Sequence, residues 1–141
     1  GAAAGNLGGI RVISSIPLQV MSGDQFLGSS GLGPVFTTPG THQLDFINNP
    51  LGFRVRQRVF LYADRVVSLR INPPNGSLVV TAQPRAQVWI DGRLAGDTPL
   101  TTSVPIGEHE VVFQNPQFGI KRQKAVVQVG SPTEVSASFI P

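Results

Sequence analysis

The chain has no cysteine, and that absence removes several chemistries together. No disulfide can staple the fold, no thiolate can act as a nucleophile, and no sulfur-ligated metal site can form. Charge is also scarce. Only 13% of residues are Asp, Glu, Lys or Arg, against about 25% in ordinary globular domains, so long helices with charged outer faces are not expected. There are two histidines and a single Trp, Tyr and Met. No run of 18 apolar residues occurs, so no segment is suited to crossing a membrane as a helix. No signal-peptide pattern is visible, as expected of a mature or excised stretch. Glycine and proline are abundant, at 16 and 12 of 141 residues, and 40% of the chain is hydrophobic. Such a composition suits many short strands joined by turns, and the expected class is all-β.

The most informative stretch runs from Pro84 to Gly119. Val88-Trp89-Ile90 are strand formers closed by Asp91-Gly92, a tight hairpin signal. Gly96, Thr98 and Pro99 mark a second turn. Gly107 punctuates before His109-Glu110-Val111-Val112-Phe113, which alternates as a strand does. These residues resemble the signature of the PEGA module, a small bacterial β-sandwich. The family pattern falls on Pro84, Ala86, Val88, Ile90, Asp91 and Gly92, then on Gly96, Thr98, Pro99 and Leu100, then on Gly107 and His109. The glycine that should precede Ala86 is missing, and Arg85 stands there instead. The resemblance implies an Ig-like or prealbumin-like fold without catalytic activity, outside the cytoplasm, in a bacterial cell-envelope protein. Ile106 to Phe113 and Asn115 to Gly119 are similar to the PEGA repeats that trail membrane-anchored serine/threonine kinases. A sensor or docking region is implied, with no kinase motif in this chain.

The chain also nearly repeats itself. Val20 to Gly28 align with Val88 to Gly96 at an offset of 68 (88 − 20). Gly40-Thr41-His42 align with Gly107-Glu108-His109 at 67 (107 − 40), as do Phe46 with Phe113, Asn48 with Asn115, and Leu51-Gly52-Phe53 with Phe118-Gly119-Ile120. Leu69 and Ile71 return to 68, on Ala137 and Phe139. The expected organisation is a flexible tail over 1–9, a divergent PEGA-like module over 10–72, a linker over 73–76 stiffened by proline and turned by Asn75-Gly76, and a second PEGA module over 77–141. About six strands are expected in each module: near 10–15, 18–22, 34–38, 42–47, 53–62 and 65–71, and near 77–82, 86–91, 102–104, 108–114, 120–129 and 133–139. Alternation places Leu44 and Phe46, Ala86, Val88 and Ile90, and Val111 and Phe113 on inner faces. In 53–61 it groups Phe53, Val55, Val59 and Leu61, with Gln57 the exception.

Candidates for chemistry are few. His42 and His109 share one repeat position, which points to a duplicated structural role rather than a duplicated active site. Two histidines without cysteine, one in each module, do not make a zinc site. The eight carboxylates are scattered, and Asp91 and Asp97 read as turn residues. No cofactor or metal and no enzyme activity is expected. A basic stripe is the sharpest surface feature: Arg54, Arg56 and Arg58 on one strand face, echoed by Lys121, Arg122 and Lys124. It fits protection of a sheet edge, contact with a protein or anionic polymer, or nucleic acid. Nucleic acid is disfavoured, because no groove-entering helix is expected and Phe60 and Tyr62 make a poor stacking platform. Trp89 faces outward by parity, either as an anchor for a partner or buried between the modules.

The expectation is therefore an extracytoplasmic, non-catalytic interaction or sensor module that binds a protein or a cell-envelope polymer. Two alternatives stay open. One is a self-assembling subunit of a surface filament or layer, joined through the N-terminal tail and sheet edges. The other is an anionic glycan-binding module using Trp89 and the stripe.

Overall fold

The computed structural model describes residues 6–140, which form two compact units divided between Pro73 and Pro74. Residues 1–5 of the expected tail lie outside the described residues. Gly8 and Gly9 are not tail but the start of the first strand.

The first unit runs β1 (Gly8–Ile13), β2 (Gln19–Ser22), β3 (Gln25–Ser29), a 3-10 turn at Ser30–Leu32, β4 (Val35–Thr37), β5 (Gly40–Asn48), β6 (Phe53–Leu61) and β7 (Val66–Arg70). Its sheets have the orders β3-β2-β5-β6 and β4-β1-β7. The second unit runs β8 (Asn75–Gln83), β9 (Gln87–Ile90), β10 (Arg93–Asp97), β11 (Leu100–Pro105), β12 (Gly107–Asn115), β13 (Gly119–Val127) and β14 (Thr133–Ser138), with sheets β10-β9-β12-β13 and β11-β8-β14. The two orders correspond strand for strand. In each unit the last strand lies parallel to the first, β7 on β1 and β14 on β8, while the other pairings are antiparallel. No α-helix occurs among the described residues.

Alternation explains the cores. Ile10, Leu18, Val20, Leu44, Phe46 and Leu61 are buried in the first unit, and Leu78, Val80, Val88, Val111, Phe113 and Val127 in the second. These are inner-face positions of a period-2 pattern, the side of their strands that faces the core. On β6 the pattern is weaker: Phe53 and Leu61 are buried, but Val55 and Val59 are half-exposed.

Each unit has one strand more than the alternation announces. β3 and β10 are the return arms of the hairpins begun by β2 and β9. Their side chains are exposed or half-buried, so no apolar period marks them. Backbone pairing holds them, with register shifts between Val20 and Met21 and between Leu94 and Gly96. The linker also differs from the expectation. Asn75 and Gly76 do not turn the chain; they open β8 and pair with Pro105 and Val104. Gly76 is required there by space, since a Cβ would sit 2.5 Å from Val127 Cγ1 and 2.8 Å from the Gln128 carbonyl oxygen.

Candidate interaction surface

The signature residues of the second unit build a set of clamps around the β9–β10 hairpin. Pro84 follows a cis peptide bond, and so does Pro99. Ala86 is buried and its N–H donates to Thr98 Oγ1 at 3.1 Å, while the Thr98 N–H donates to the Ala86 carbonyl at 2.9 Å. Thr98 is itself buried, so this reciprocal pair satisfies groups that water cannot reach. Val88 fills the core. Asp91 and Gly92 carry φ values of 51° and 83°, the doubly positive geometry that a two-residue hairpin demands. Gly96 sits at the register shift with φ 142°, and Gly107 opens β12 with φ 125°.

His109 is the centre of the set. Its Nδ1–H donates to Asp91 Oδ2 at 2.5 Å, and its Nε2–H donates to the Pro105 carbonyl at 2.6 Å. A carbonyl and a carboxylate both accept, so the arrangement favours protons on both ring nitrogens, the imidazolium form. Burial opposes that charge, but the bonds to the Asp91 carboxylate and the Pro105 carbonyl outweigh it and raise the His109 pKa above 6.5. Burial likewise pushes Asp91 upward, and His109 with the Glu110 amide more than offsets this, so its pKa falls below 3.8. Asp91 Oδ1 also accepts the Glu110 N–H at 2.9 Å. The aspartate therefore ties the hairpin turn to β12, a role the sequence reading gave only to the turn itself.

The first unit repeats three of these devices. Ser30 takes the place of Thr98: its Oγ accepts the Leu18 N–H and its own N–H donates to the Leu18 carbonyl, both at 2.9 Å. Asn48 and Asn115 each donate to a loop carbonyl, of Pro17 and Arg85, and each accepts backbone N–H groups of the following turn. His42 bonds the Thr38 carbonyl as His109 bonds Pro105. The carboxylate partner is what the first unit lacks, because Gly23 stands where Asp91 stands.

The outward faces of the four-stranded sheets differ more. In the second unit the cross-strand row is Leu94, Trp89, Val112, Arg122. Leu94 is 60% exposed and Trp89 is half-buried on this outward face. In the first unit the matching row is Phe26, Met21, Asp45, Arg56. Asp45 is only 2% exposed although it points outward. Arg56 Nε donates to its Oδ1 at 2.9 Å and Arg54 Nη2 to its Oδ2 at 3.1 Å, so two guanidinium groups roof the carboxylate. The Arg56 bond, against a burial penalty and with the charges of both arginines, holds the Asp45 pKa below 3.8.

The basic stripe is thus divided. Arg54 and Arg56 are engaged by Asp45, and Arg58 has no carboxylate partner among the described residues. Arg122 and Lys124 face outward beside Glu110 and Glu108, at 3.6 and 3.1 Å. Lys121 lies on the other face, where it pairs with Phe113 across the strands, donates to the Ser138 carbonyl, and lies 5.6 Å from the Phe139 ring centroid. The cause is turn length. Asn48 pairs with Phe53 but Asn115 pairs with Gly119, so the second hairpin is one residue shorter. From there the structural offset is 66 (122 − 56), which matches Arg56 with Arg122, Arg58 with Lys124, and Lys121 with Val55. Among the described residues no three His, Cys, Asp or Glu side chains come together as a metal-binding group.

Replacing Asp45 with asparagine tests what the stripe can do. The roof over a neutral amide loses its charge pairing, so the first unit should melt earlier, and heparin-column retention should rise as Arg54 and Arg56 are released. Unchanged retention would show that these arginines do not govern contact with anionic polymers.

These features define a class: a small two-sheet β-module whose polar residues are spent on clamps and whose free chemistry lies on its surfaces. Residues 75–140, nearly all of the second unit, match the family model of the PEGA domain. No curated protein matches the chain. Among solved structures, it is similar to "The Bacillus anthracis TIE protein", with a TM-score of 0.46 and 13% identity over 94% of this chain. That match spans 34% of the other chain, about a third of its length. No helix among the described residues is long and apolar enough to cross a membrane.

Proposed function

We propose that the chain is a non-catalytic, extracytoplasmic interaction region of a bacterial cell-envelope protein, made of two copies of one PEGA-type module. Support for two copies is the matching strand order together with the three repeated clamps. The contact with a protein or envelope polymer is made by the outward sheet face of the second unit. The observation that carries this reading is the row Leu94, Trp89, Val112, in which the chain's single tryptophan and an exposed leucine adjoin on a face that the fold leaves wet. A rigid aromatic beside an aliphatic neighbour contributes contact area at low entropic cost.

Because Trp89 is the only tryptophan, its emission reports this face without labelling. Titration with purified cell-wall sacculi, and separately with an envelope membrane fraction, should shift its emission to the blue. Trp89→Ala and Leu94→Ser should each remove co-sedimentation while the circular dichroism stays unchanged. Binding that survives both substitutions would place the contact elsewhere, and no binding to either preparation would overturn the reading.

A further inference from the structure

The two units seal the same seam differently. The Gly9 N–H donates to the Arg65 carbonyl and the Ile71 N–H to the Ile13 carbonyl. Residues 65, 67, 69 and 71 therefore direct their backbone groups at β1. Val66, Ser68 and Arg70 direct theirs at the open side. Strand β14 has the same phase, since the Phe139 N–H donates to the Gln83 carbonyl, so Ser136 and Ser138 face its open side. There the edge is capped. Lys121 donates to the Ser138 carbonyl, Gln123 Nε2 to the Ser136 carbonyl at 2.6 Å, and Thr133 Oγ1 back to the Val126 carbonyl at 3.2 Å.

The first unit has no such cap. By strand pairing the counterparts of Ser136 and Ser138 are Arg70 and Asn72 (136 − 70 and 138 − 72), and those of Gln123 and Lys121 are Gln57 and Val55 (123 − 57 and 121 − 55). Valine has no donor, and among the described residues no side chain donates to the Ser68, Arg70 or Asn72 carbonyl. Packing shows the same difference. Val135 on β14 and Ala125 on β13 are buried, whereas their counterparts Leu69 on β7 and Val59 on β6 are half-exposed.

We infer that the open edge of β7 accepts an extended segment of another protein, in which apolar residues alternate with acidic ones. An added strand would complete the unused backbone bonds of Val66, Ser68 and Arg70. Its inward side chains would meet Val67, Leu69, Val55 and Val59, which are apolar. Its outward side chains would meet Arg70, and near it Arg11, which pairs with Ser68 across the β1–β7 ladder. Neither arginine has a carboxylate partner among the described residues. The first unit holds six arginines against three aspartates, with no lysine or glutamate, while the second holds five cations and five carboxylates. All of the +3 net charge is thus in the unit with the open edge. That balance favours an acidic occupant and disfavours a second copy of this strand, which would bring the same arginines. This site lies in the first unit and is independent of the Trp89 face.

The test uses the whole chain and a fluorescein-labelled probe, Val-Glu-Val-Glu-Val-Glu-Val, read by anisotropy. Saturable binding is expected, weakening as salt is raised. Val55→Lys, which installs the cap of the second unit, should weaken it by at least about tenfold, the loss of one or two backbone bonds. Ser68→Pro should do the same, because it removes a donor on the open side only and leaves the β1 ladder intact. The probe N-methylated at alternate residues should not bind, and Arg70→Ser should flatten the salt dependence. Absence of binding at millimolar probe, or equal binding by wild type, Val55→Lys and Ser68→Pro, overturns the inference. A concentration-dependent dimer that Ser68→Pro abolishes would also overturn it, by making a second copy the occupant.

Discussion

Replacing Phe113 with alanine is expected to destabilise the second unit by about 3–5 kcal/mol, the range for truncating a buried aromatic ring. Phe113 is fully buried, between Val88 and Lys121 in the cross-strand row. The unit spans Pro74–Pro141, a size at which total stability is roughly 3–10 kcal/mol. One substitution therefore removes a third of it or more. At about 4 °C or more per kcal/mol, the melting midpoint should fall by at least about 12 °C. Trp89 follows Val88, the cross-strand neighbour of Phe113, so the fluorescence transition reads the loss directly. A midpoint that stays in place would mean that the unit does not depend on this ring.

The second large effect is a loss of stability as pH rises above the mildly acidic range. The folded pKa of His109 is raised above 6.5. Its stabilising contribution is then complete below about pH 6.5 and disappears as pH rises through the folded value. Asp91 behaves oppositely. Its folded pKa is lowered from 3.8, so its contribution holds above that value and fades as pH falls through the depressed one. Stability of the second unit should peak in the mildly acidic range. Asp91 is half-exposed, which puts the His109 link at the lower end for a charged hydrogen bond, about 1.5 kcal/mol. His109→Phe should lose that amount near pH 6 and abolish the decline above it. A wild-type melting profile that is flat from pH 6 to pH 9 would sink the assignment of His109 as an imidazolium.

Period-2 alternation was enough to place the core faces. Leu44, Phe46, Val88, Val111 and Phe113 carry their own signal, because burial on one side of a strand leaves a pattern in single residues. The return arms β3 and β10 carried none, since backbone pairing rather than side-chain burial holds them. The clamp between Asp91 and His109 joins residues eighteen positions apart (109 − 91), and only the pairing of β9 with β12 brings them together. Its two members were visible as motif residues, but not as partners. Asp45 illustrates a deeper limit. An aspartate between Leu44 and Phe46 reads as a solvated outward residue. Its burial arises because the hairpin length sets Arg56 directly opposite, and Arg54 two places along. The same dependence on hairpin length displaced Lys121. A turn shorter by one residue turns every later side chain to the other face, and nothing in the local composition of 116–118 announces it. The surface roles of Trp89, Arg54, Arg56, Arg58, Lys121 and Arg122 could not be read from residue type, because contact depends on which charges already have partners.

The Lys121 and Gln123 cap has a consequence for stoichiometry. The architecture creates this kind of seam twice, yet side chains close it at β14 and leave it open at β7. At this type of seam the chain therefore offers one acceptor edge, β7. It can terminate a partner's edge, or take up one tail, but it cannot pass strand pairing on through the same type of seam. A fibre built from it would need a second, chemically different contact. Removing the cap by Lys121→Val with Gln123→Ala should give the chain a second acceptor of this type, read as two probe peptides bound per chain instead of one.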